Sequence, residues 1–243
     1  MSQRLELLFL GSGNAFARGR YWSSFLVNGR FMFDCSPVAL AHLKQCDVPP
    51  DDVEAVFISH FHADHFFGLP FLLLEYGEQS RMRDLTILGP PGIEQRLRTV
   101  VEVGYPHLLS KTKTYKEEYL DLQDGMEGQI GDLKFIARSV NHVDDFPCFG
   151  FRVELNGRSV AYSGDTMMCD ALLDLADGAD AFVVECSCWD GACGPHLVPD
   201  DVRELRRRLG PKPMFILTHL DAGQEDLGIE NVLVAQDLGR FTI

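Results

Sequence analysis

Residues 60–65 carry four metal-competent side chains within six positions, directly after an apolar run. The run Ala55-Val56-Phe57-Ile58 is typical of a buried strand, and the hexad His60-Phe61-His62-Ala63-Asp64-His65 follows it after Ser59. Imidazole and carboxylate ligands without thiolates suit borderline divalent ions, with Zn²⁺ in first place and Mn²⁺ or Fe²⁺ as alternatives. The fold must therefore place the end of a strand against a metal.

The spacing of the hexad divides it into two halves. In an extended chain His60 and His62 are two residues apart and point to the same side, where they can hold one ion. Asp64 and His65 come where the chain turns towards a helix, and they can reach a second ion beside the first. Each half needs further ligands from elsewhere in the sequence.

Three polar residues stand where predicted strands end: His142, Asp165 and His219. In open α/β sheets, ligands bind beyond the carboxyl ends of strands. Taken alone, each residue also has an explanation without a metal. A single histidine after a strand is commonly a hydrogen-bonded structural residue, and Asp165 can be a turn residue or the N-cap of a helix over 171–176. The hexad upstream favours metal binding for all three.

Several segments resemble a known family. The order HxHxDH, His, Asp, His is that of the metallo-β-lactamase superfamily, and the stretch from Ile58 to Pro70 is most similar to its ribonuclease Z branch. Further similarity to that branch lies in Leu10-Gly11-Ser12-Gly13-Asn14-Ala15, Arg20-Tyr21-Trp22-Ser23-Ser24 and Phe33-Asp34-Cys35. The resemblance thus covers nearly the whole chain.

The resemblance implies an α/β fold, the αββα sandwich of two facing mixed β-sheets flanked by helices. Apolar runs in both halves agree with it, at 5–10, 55–58, 160–163, 181–185 and 214–217. It also implies a role for each candidate ligand: a first metal bound by His60, His62 and His142, a second by Asp64, His65 and His219, and Asp165 as the bridge.

A dinuclear site of this kind suits phosphodiester hydrolysis. Two divalent ions about 3.5 to 4 Å apart can share a hydroxide as nucleophile and stabilise the oxygens of an in-line displacement at phosphorus. Asp64 is then expected to serve catalysis as well as metal binding. Glu185 and His196 resemble the pair that ribonuclease Z enzymes have near their leaving group. On that resemblance, His196 protonates the leaving alkoxide and Glu185 orients it and stabilises its charged form.

The sequence departs from the ribonuclease Z pattern around His196. The spacing from Glu185 is short, and Leu197 stands where a small hydroxyl residue is usual. The His-Leu pair followed by Pro199-Asp200-Asp201 is more similar to small cyclic-nucleotide phosphodiesterases of the same superfamily. The structural alternative makes His196 a residue at the entry to a helix over 202–209.

The ribonuclease branch also carries a long protruding arm, rich in glycine, proline and basic residues, that grips transfer RNA. Residues 92–126 contain no clear counterpart, only a predicted helix at 93–103 and a charged piece at 111–118. This weakens the assignment of transfer RNA as substrate and leaves phosphodiester hydrolysis intact.

The charge balance also disfavours a large polyanion. The chain has 22 Lys and Arg against 36 Asp and Glu, a formal net charge of −14. Long-range steering therefore opposes RNA, although screening over about 8 Å limits the penalty. Two interpretations stay open for the two arginine clusters: they form a rim that binds an RNA backbone, or they belong to solvated helix faces. The first cluster is Arg81, Arg83, Arg96 and Arg98, and the second is Arg203, Arg206, Arg207 and Arg208.

With 243 residues, 46% of them apolar, the chain can bury a sizeable core. No linker or repeat divides it, so we expect a single domain over 1–243. The apolar stretch 66–74 is too short to span a bilayer, and Glu6 and Gly11 interrupt any signal-peptide pattern. A cytoplasmic protein with no membrane partner is expected; a homodimer stays open, as do the native metal and substrate.

The seven cysteines are an odd number, consistent with free thiols in a reducing compartment. Cys186, Cys188 and Cys193 lie close together, which suggests a third metal site or a redox pair. Their spacing matches no standard zinc site, so we favour the interpretation that they pack as small buried residues. Cys35 is expected at the back of the pocket, and Asp34 as the acceptor for the N–H of a ligating histidine. His42 and His107 are interpreted as structural.

Three functions compete on these residues. The first is a dinuclear phosphodiesterase or nuclease, ribonuclease Z-like, acting on a small phosphodiester or a short nucleic acid. The second is a hydrolase of esters, thioesters or lactones, because the same scaffold and hydroxide can attack carbonyls. The third is a non-catalytic metal-dependent binder, which is disfavoured because every expected ligand is present.

Overall fold

Two β-sheets face each other, and helices cover their outer faces. The computed structural model describes residues 4–79, 81–189, 191, 194–224 and 226–243. The first sheet contains β1 Glu6–Gly11, β2 Ser24–Val27, β3 Phe31–Phe33, β4 Ala55–Phe57, β5 Leu85–Gly89, β6 Glu117–Asp121 and β14 Arg240–Thr242. Its spatial order is β14-β1-β2-β3-β4-β5-β6, with parallel pairing along β3-β4-β5-β6.

The second sheet contains β7 Met126–Ile130, β8 Leu133–Val140, β9 Cys148–Leu155, β10 Arg158–Tyr162, β11 Ala181–Glu185, β12 Met214–Thr218 and β13 Val232–Val234. These strands are adjacent in chain order, antiparallel from β7 to β10 and parallel from β10 to β13. The helices are α1 Ala39–Gln45, α2 Ala63–Phe66, α3 Leu69–Glu78, α4 Ile93–Gly104, α5 Asp170–Ala176 and α6 Pro199–Leu209, with short 3₁₀ helices at Pro50–Asp52 and Pro106–Leu109.

Alternation along the strands explains the layers. One face of each sheet is aromatic and aliphatic and meets the other sheet in a shared interior. Phe9, Phe25, Phe33 and Phe57 stack across four neighbouring strands, with successive ring centroids 5.3, 4.9 and 4.7 Å apart. The opposite faces pack against α1, α3 and α4 on one side and α5 and α6 on the other. The predicted αββα sandwich is confirmed.

The ends of the central strands lie at one edge of this sandwich. The hexad follows β4, while Asp165 and His219 follow β10 and β12. The backbone N–H of Phe149 donates to the Ser59 carbonyl at 2.9 Å and ties the two sheets together there. This edge therefore collects residues from distant parts of the chain.

Two glycines allow close approaches at this edge. A Cβ on Gly68 would lie 2.1 Å from the Ser36 carbonyl oxygen, so α3 can begin against the loop after β3 only with glycine there. Gly164 has φ +58°, and a Cβ there would lie 2.5 Å from the Phe149 carbonyl oxygen. These contacts fix the backbone next to Asp34 and Asp165.

The predicted strands and helices occur within one or two residues of the expected bounds, except that α6 begins at Pro199 rather than at 202. The N-cap of α5 is Cys169, so Asp165 is not a helix cap. Among the described residues, no helix has both the length and the apolar content needed to cross a membrane.

Candidate metal centre

His60, His62, His142 and Asp165 form the first group of metal-competent atoms, close enough together to hold one ion. His60 Nε2 lies 2.9 Å from His62 Nδ1, and His142 Nε2 lies 3.2 Å from the same atom. The carboxylate oxygen Oδ2 of Asp165 is 3.8 Å from His60 Nε2 and 3.9 Å from His142 Nε2. The first half of the hexad and its expected partners thus converge.

Asp64, His65 and His219 form the second group. The Nε2 atoms of His65 and His219 are 3.2 Å apart, and each lies 3.4 Å from Asp64 Oδ2. Asp165 Oδ2 is 3.3 Å from both Nε2 atoms. One aspartate oxygen therefore faces both groups, the position expected for a bridge.

The chemistry of this cluster fits a pair of divalent ions. Asp165 is 2% exposed, and its Oδ1 atom is buried without a hydrogen-bond donor among the described residues. Such an oxygen costs free energy unless a cation or water satisfies it. Imidazole nitrogens that face one another at about 3 Å likewise need something between them that accepts lone pairs.

The electrostatics point the same way. Burial, reinforced by His65, lowers the pKa of His60 well below its usual value, which keeps the neutral form that binds metals. Burial would raise the pKa of Asp165, but His219 and His65 hold it well below its usual range. For His65, burial is outweighed by Asp165, Asp64 and Asp34, and its pKa is raised. The negative charge that retains a proton here can also attract a cation.

Asp34 orients the candidate ligand His65. Its Oδ2 accepts hydrogen bonds from His65 Nδ1 at 2.7 Å, Tyr162 OH at 2.6 Å and Ser59 Oγ at 2.9 Å, and its Oδ1 accepts from Ser59 N at 2.7 Å. With Nδ1 donating, Nε2 is left for the metal. The sequence predicted Asp34 as the acceptor for such a histidine, and the hydrogen bond to His65 is present; metal binding by His65 stays a prediction.

Two other candidate ligands are held in the same tautomer. His142 Nδ1 donates to the Pro195 carbonyl at 2.9 Å. Ser187 Oγ lies 2.6 Å from His219 Nδ1 and donates to Glu185 Oε2 at 2.8 Å, so it accepts from the histidine. Sequence reasoning missed Ser187, although its position two residues after Glu185 places it on the same side of the extended chain.

Glu185 and His196 lie next to the second group. Glu185 is fully buried, and its Oε1 accepts a hydrogen bond from His196 Nδ1 at 2.7 Å. Burial alone would lower the pKa of His196, but Glu185, with a contribution from Asp165, raises it to about 9. His196 Nδ1 is also 3.9 Å from Asp165 Oδ2. The imidazole of His196 thus lies beside the candidate bridge, and its Nδ1 is engaged by Glu185.

The arginine clusters do not form a continuous basic rim. Arg81 is buried and donates to backbone carbonyls, among them Val53 and Asp84. Ion pairs with acidic side chains hold Arg83, Arg98, Arg203, Arg207 and Arg208. Arg206 binds three carbonyls around the end of α6. These pairings agree with solvated helix faces, one of the two interpretations that the sequence left open, and a role in binding an RNA backbone stays a prediction.

The remaining predictions concern cysteines and two histidines. Cys186 is a buried free thiol, and burial raises its pKa to about 12. Cys188 is disulfide-bonded, so for this residue the expectation of a free thiol is wrong, and the disulfide agrees better with the redox pair that the sequence left open. Cys193 lies outside the described residues. His42 is buried with Nδ1 2.5 Å from the Leu10 carbonyl, as expected for a structural residue, and His107 belongs to the 3₁₀ helix Pro106–Leu109.

The sandwich and its edge cluster define a metallo-β-lactamase fold. The fold is shared with a metallo-β-lactamase fold protein, YhfI, from Bacillus subtilis, at 18% identity and TM-score 0.78 over 99% of this chain and all of that one. A diphosphatase of the PhnP family superposes with TM-score 0.79 at 18% identity, over 100% of this chain and 98% of that one. Ribonuclease Z of Methanosarcina mazei is 26% identical over 96% of both chains.

A family model described as "Anti-Pycsar protein Apyc1" matches residues 5–230. The chain belongs to this family. The predicted superfamily and its ribonuclease Z and phosphodiesterase branch are confirmed.

Proposed function

We propose that the chain is a metal-dependent phosphodiesterase that cleaves small phosphodiesters, cyclic nucleotides in first place, with two Zn²⁺ ions. The observation that carries this is the position of Asp165, whose Oδ2 atom lies between two three-ligand groups and within 3.9 Å of His196. When bound, two divalent ions supply an activated water and neutralise charge at phosphorus.

The side chains of the site have two further roles, metal binding and proton donation. Three histidines around Asp165 would hold one ion, and Asp64 with His65 and His219 the other. Glu185 fixes Nδ1 of His196, which leaves Nε2 to donate a proton to the leaving alkoxide. Such a donor is useful for an alkoxide leaving group, which supports a phosphodiester over an activated acyl ester.

Three observations support a small substrate rather than transfer RNA. The chain is strongly acidic, most cations of the arginine clusters are neutralised, and residues 93–121 form α4, a 3₁₀ helix and β6 without a protruding arm. The curated relatives at 26% identity are named ribonuclease Z or ribonuclease BN, so short RNA remains in the test as a competing substrate.

The test is a substrate panel on purified, metal-loaded protein: bis(p-nitrophenyl) phosphate, 3′,5′-cyclic nucleotides, a short RNA and p-nitrophenyl acetate. We expect turnover of the phosphodiesters, with the highest rate on cyclic nucleotides. We expect wild type to hydrolyse the acyl ester no faster than the His65→Ala control does. Hydrolysis of the acyl ester without any phosphodiester would overturn the proposal. Metal content measured on the same samples identifies the ion.

A further inference from the structure

A cavity of about 510 Å³ lies between α3, α4, the segment 106–115 and the edge strand β6. Its described lining does not include any of the candidate metal ligands, so it is separate from the metal centre. The volume is within the range of about 300 to 1,000 Å³ that is typical of sites for small molecules. The fold therefore contains a second space of the size that a small ligand fills.

One wall of the cavity is apolar. Four buried aliphatic side chains contribute to it, namely Leu73, Leu97, Val101 and Leu108. Tyr76, which is 2% exposed, adds its ring. Apolar groups of a ligand gain free energy when they leave water for such a surface.

A carboxylate stands on the β6 side of the cavity. Glu117 and Tyr119 are two residues apart in β6, so they point to the same side of the strand, and both line the cavity. The Glu117 side chain is only 6% exposed. Its Oε1 accepts hydrogen bonds from Lys113 Nζ at 2.5 Å and from the Tyr119 hydroxyl, and its Oε2 accepts from the Tyr115 hydroxyl at 3.1 Å. Burial, with a contribution from Glu117, raises the pKa of both tyrosines, which keeps their hydroxyls as donors.

Among the described residues, Lys113 is the only cation that pairs with Glu117. The lysine side chain is 37% exposed, so it reaches the carboxylate from the solvent side. It loses rotamer freedom to hold this position and regains both freedom and hydration when it leaves. A cation on a ligand can therefore take its place against Glu117.

The charges around the cavity favour a cation over an anion. The other two cations of the described lining, Arg98 and Lys111, already have carboxylates at 2.9 and 2.8 Å, from Glu94 and Glu78. The net charge of −14 adds long-range attraction for cations and repulsion for anions. An anionic ligand would thus compete with carboxylates that are already in place.

We propose that this cavity binds a small hydrophobic amine, with its aromatic body against the apolar wall and its ammonium group against Glu117 in place of Lys113. The site goes beyond the proposed function, since it occupies neither the metal centre nor the position of the substrate. An ammonium group offers three donors, and among the described donors Glu117 Oε2 accepts from Tyr115 alone, so this oxygen has capacity for a further hydrogen bond. The apolar wall favours an amine with a hydrocarbon body over a fully hydrated cation.

The test uses three probes with the same phenyl body and different end groups: 2-phenylethylamine, 2-phenylethanol and 3-phenylpropionate. Each is titrated into Zn²⁺-loaded protein labelled at its leucine methyl groups. The chemical shifts give Kd, and nuclear Overhauser effects to Leu97 and Leu108 give the position of the probe. We expect wild type to bind the amine at least about tenfold more tightly than the alcohol, since a hydrogen bond to a charged group is gained, and the carboxylate most weakly.

Glu117→Gln should remove the preference for the amine and leave binding of the alcohol unchanged. The matched control is Glu118→Gln, which changes a carboxylate on the opposite face of β6 that is 45% exposed and paired with Lys116. This variant should keep the preference. The methyl spectra of both variants verify that they are folded.

Four results would overturn the proposal. The first two are a wild type without the preference for the amine and a Glu117→Gln variant that keeps it. The third is tightest binding of 3-phenylpropionate, which would make the cavity an anion site. The fourth is an amine that gives no Overhauser effects to Leu97 or Leu108, which would mean that it binds elsewhere. None of these measurements depends on hydrolysis, so they are independent of the substrate panel.

Discussion

His65 Nδ1 donates to Asp34 Oδ2 across 2.7 Å, and both side chains are fully buried. The contact joins the loop after β3 to the helix that carries two of the candidate ligands. Asp34 has φ +54°, a conformation that L residues adopt at a cost of about 1 to 3 kcal/mol. The backbone N–H of Cys35 also donates to the His65 carbonyl at 2.7 Å, which ties the same two segments together.

From this contact we predict that Asp34→Asn weakens metal binding. An amide can present its NH₂ to the histidine, which disturbs the tautomer that leaves Nε2 free, and loss of such a partner typically costs about 10- to 100-fold in metal affinity. The measurement is Zn²⁺ competition against a chelating dye. Tyr162→Phe, which removes one of the other donors to Asp34, is the matched control and should have a smaller effect. Equal affinities in wild type and Asp34→Asn would contradict this role.

The ligand assignment predicts that His65→Ala and Asp165→Ala abolish turnover and lower metal content. Asp165 faces both groups, so its removal should reduce binding of both ions, whereas His65→Ala should chiefly affect one. Elemental analysis after dialysis gives the metal-to-protein ratio. His107→Ala, in an exposed 3₁₀ helix, should match wild type. Wild-type metal content in either ligand variant would show that the assignment is wrong.

The acid role predicts that His196→Ala keeps both ions and slows only the chemical step. Loss of a general acid typically costs about 10² to 10⁴ in rate, and most for a poor leaving group. Rates should therefore fall far more for an alkyl leaving group than for p-nitrophenolate. Because His196 also lies near Asp165 and His219 in a cluster that a metal can use, metal content must be measured in the same variant. Lost metal would make His196 a ligand instead, and an unchanged alkyl rate would exclude the acid role.

Sequence predicted the parts of this site that follow from local spacing. The hexad after β4, and single polar residues after β8, β10 and β12, were recognisable because a strand end is a defined place in a sheet. What it could not supply were contacts between distant segments. Ser187 is a common residue type with no motif, and Tyr162 has the pattern of an ordinary core residue, so their bonds to His219 and Asp34 emerge only from packing.

Charge clusters were the least predictable feature. Arginines at 203 and 206–208 have the pattern of a basic surface. In the structure, however, Asp200, Glu204 and Asp170 form ion pairs with three of them, and the fourth, Arg206, donates to backbone carbonyls. A sequence pattern counts charges without showing which are paired. The single-domain prediction stays a prediction.

Gly68→Ala is predicted to destabilise the protein and reduce metal binding together. The added Cβ would lie 2.1 Å from the Ser36 carbonyl oxygen and 2.6 Å from that of Cys35, and backbone atoms cannot rotate away. Overpacking of this kind costs about 1 to 3 kcal/mol or more, which lowers Tm by several degrees in a chain of this size.

The matched control is Gly104→Ala, at the end of α4, where a Cβ would meet nothing within 4 Å. There alanine should leave Tm unchanged or raise it slightly, because it restricts the unfolded chain and favours the helix. Thermal unfolding with and without added Zn²⁺ measures both effects, since a bound ion raises Tm by mass action. If Gly68→Ala unfolds at the wild-type temperature with the wild-type response to Zn²⁺, the close packing of α3 on the Asp34 loop does not position the site.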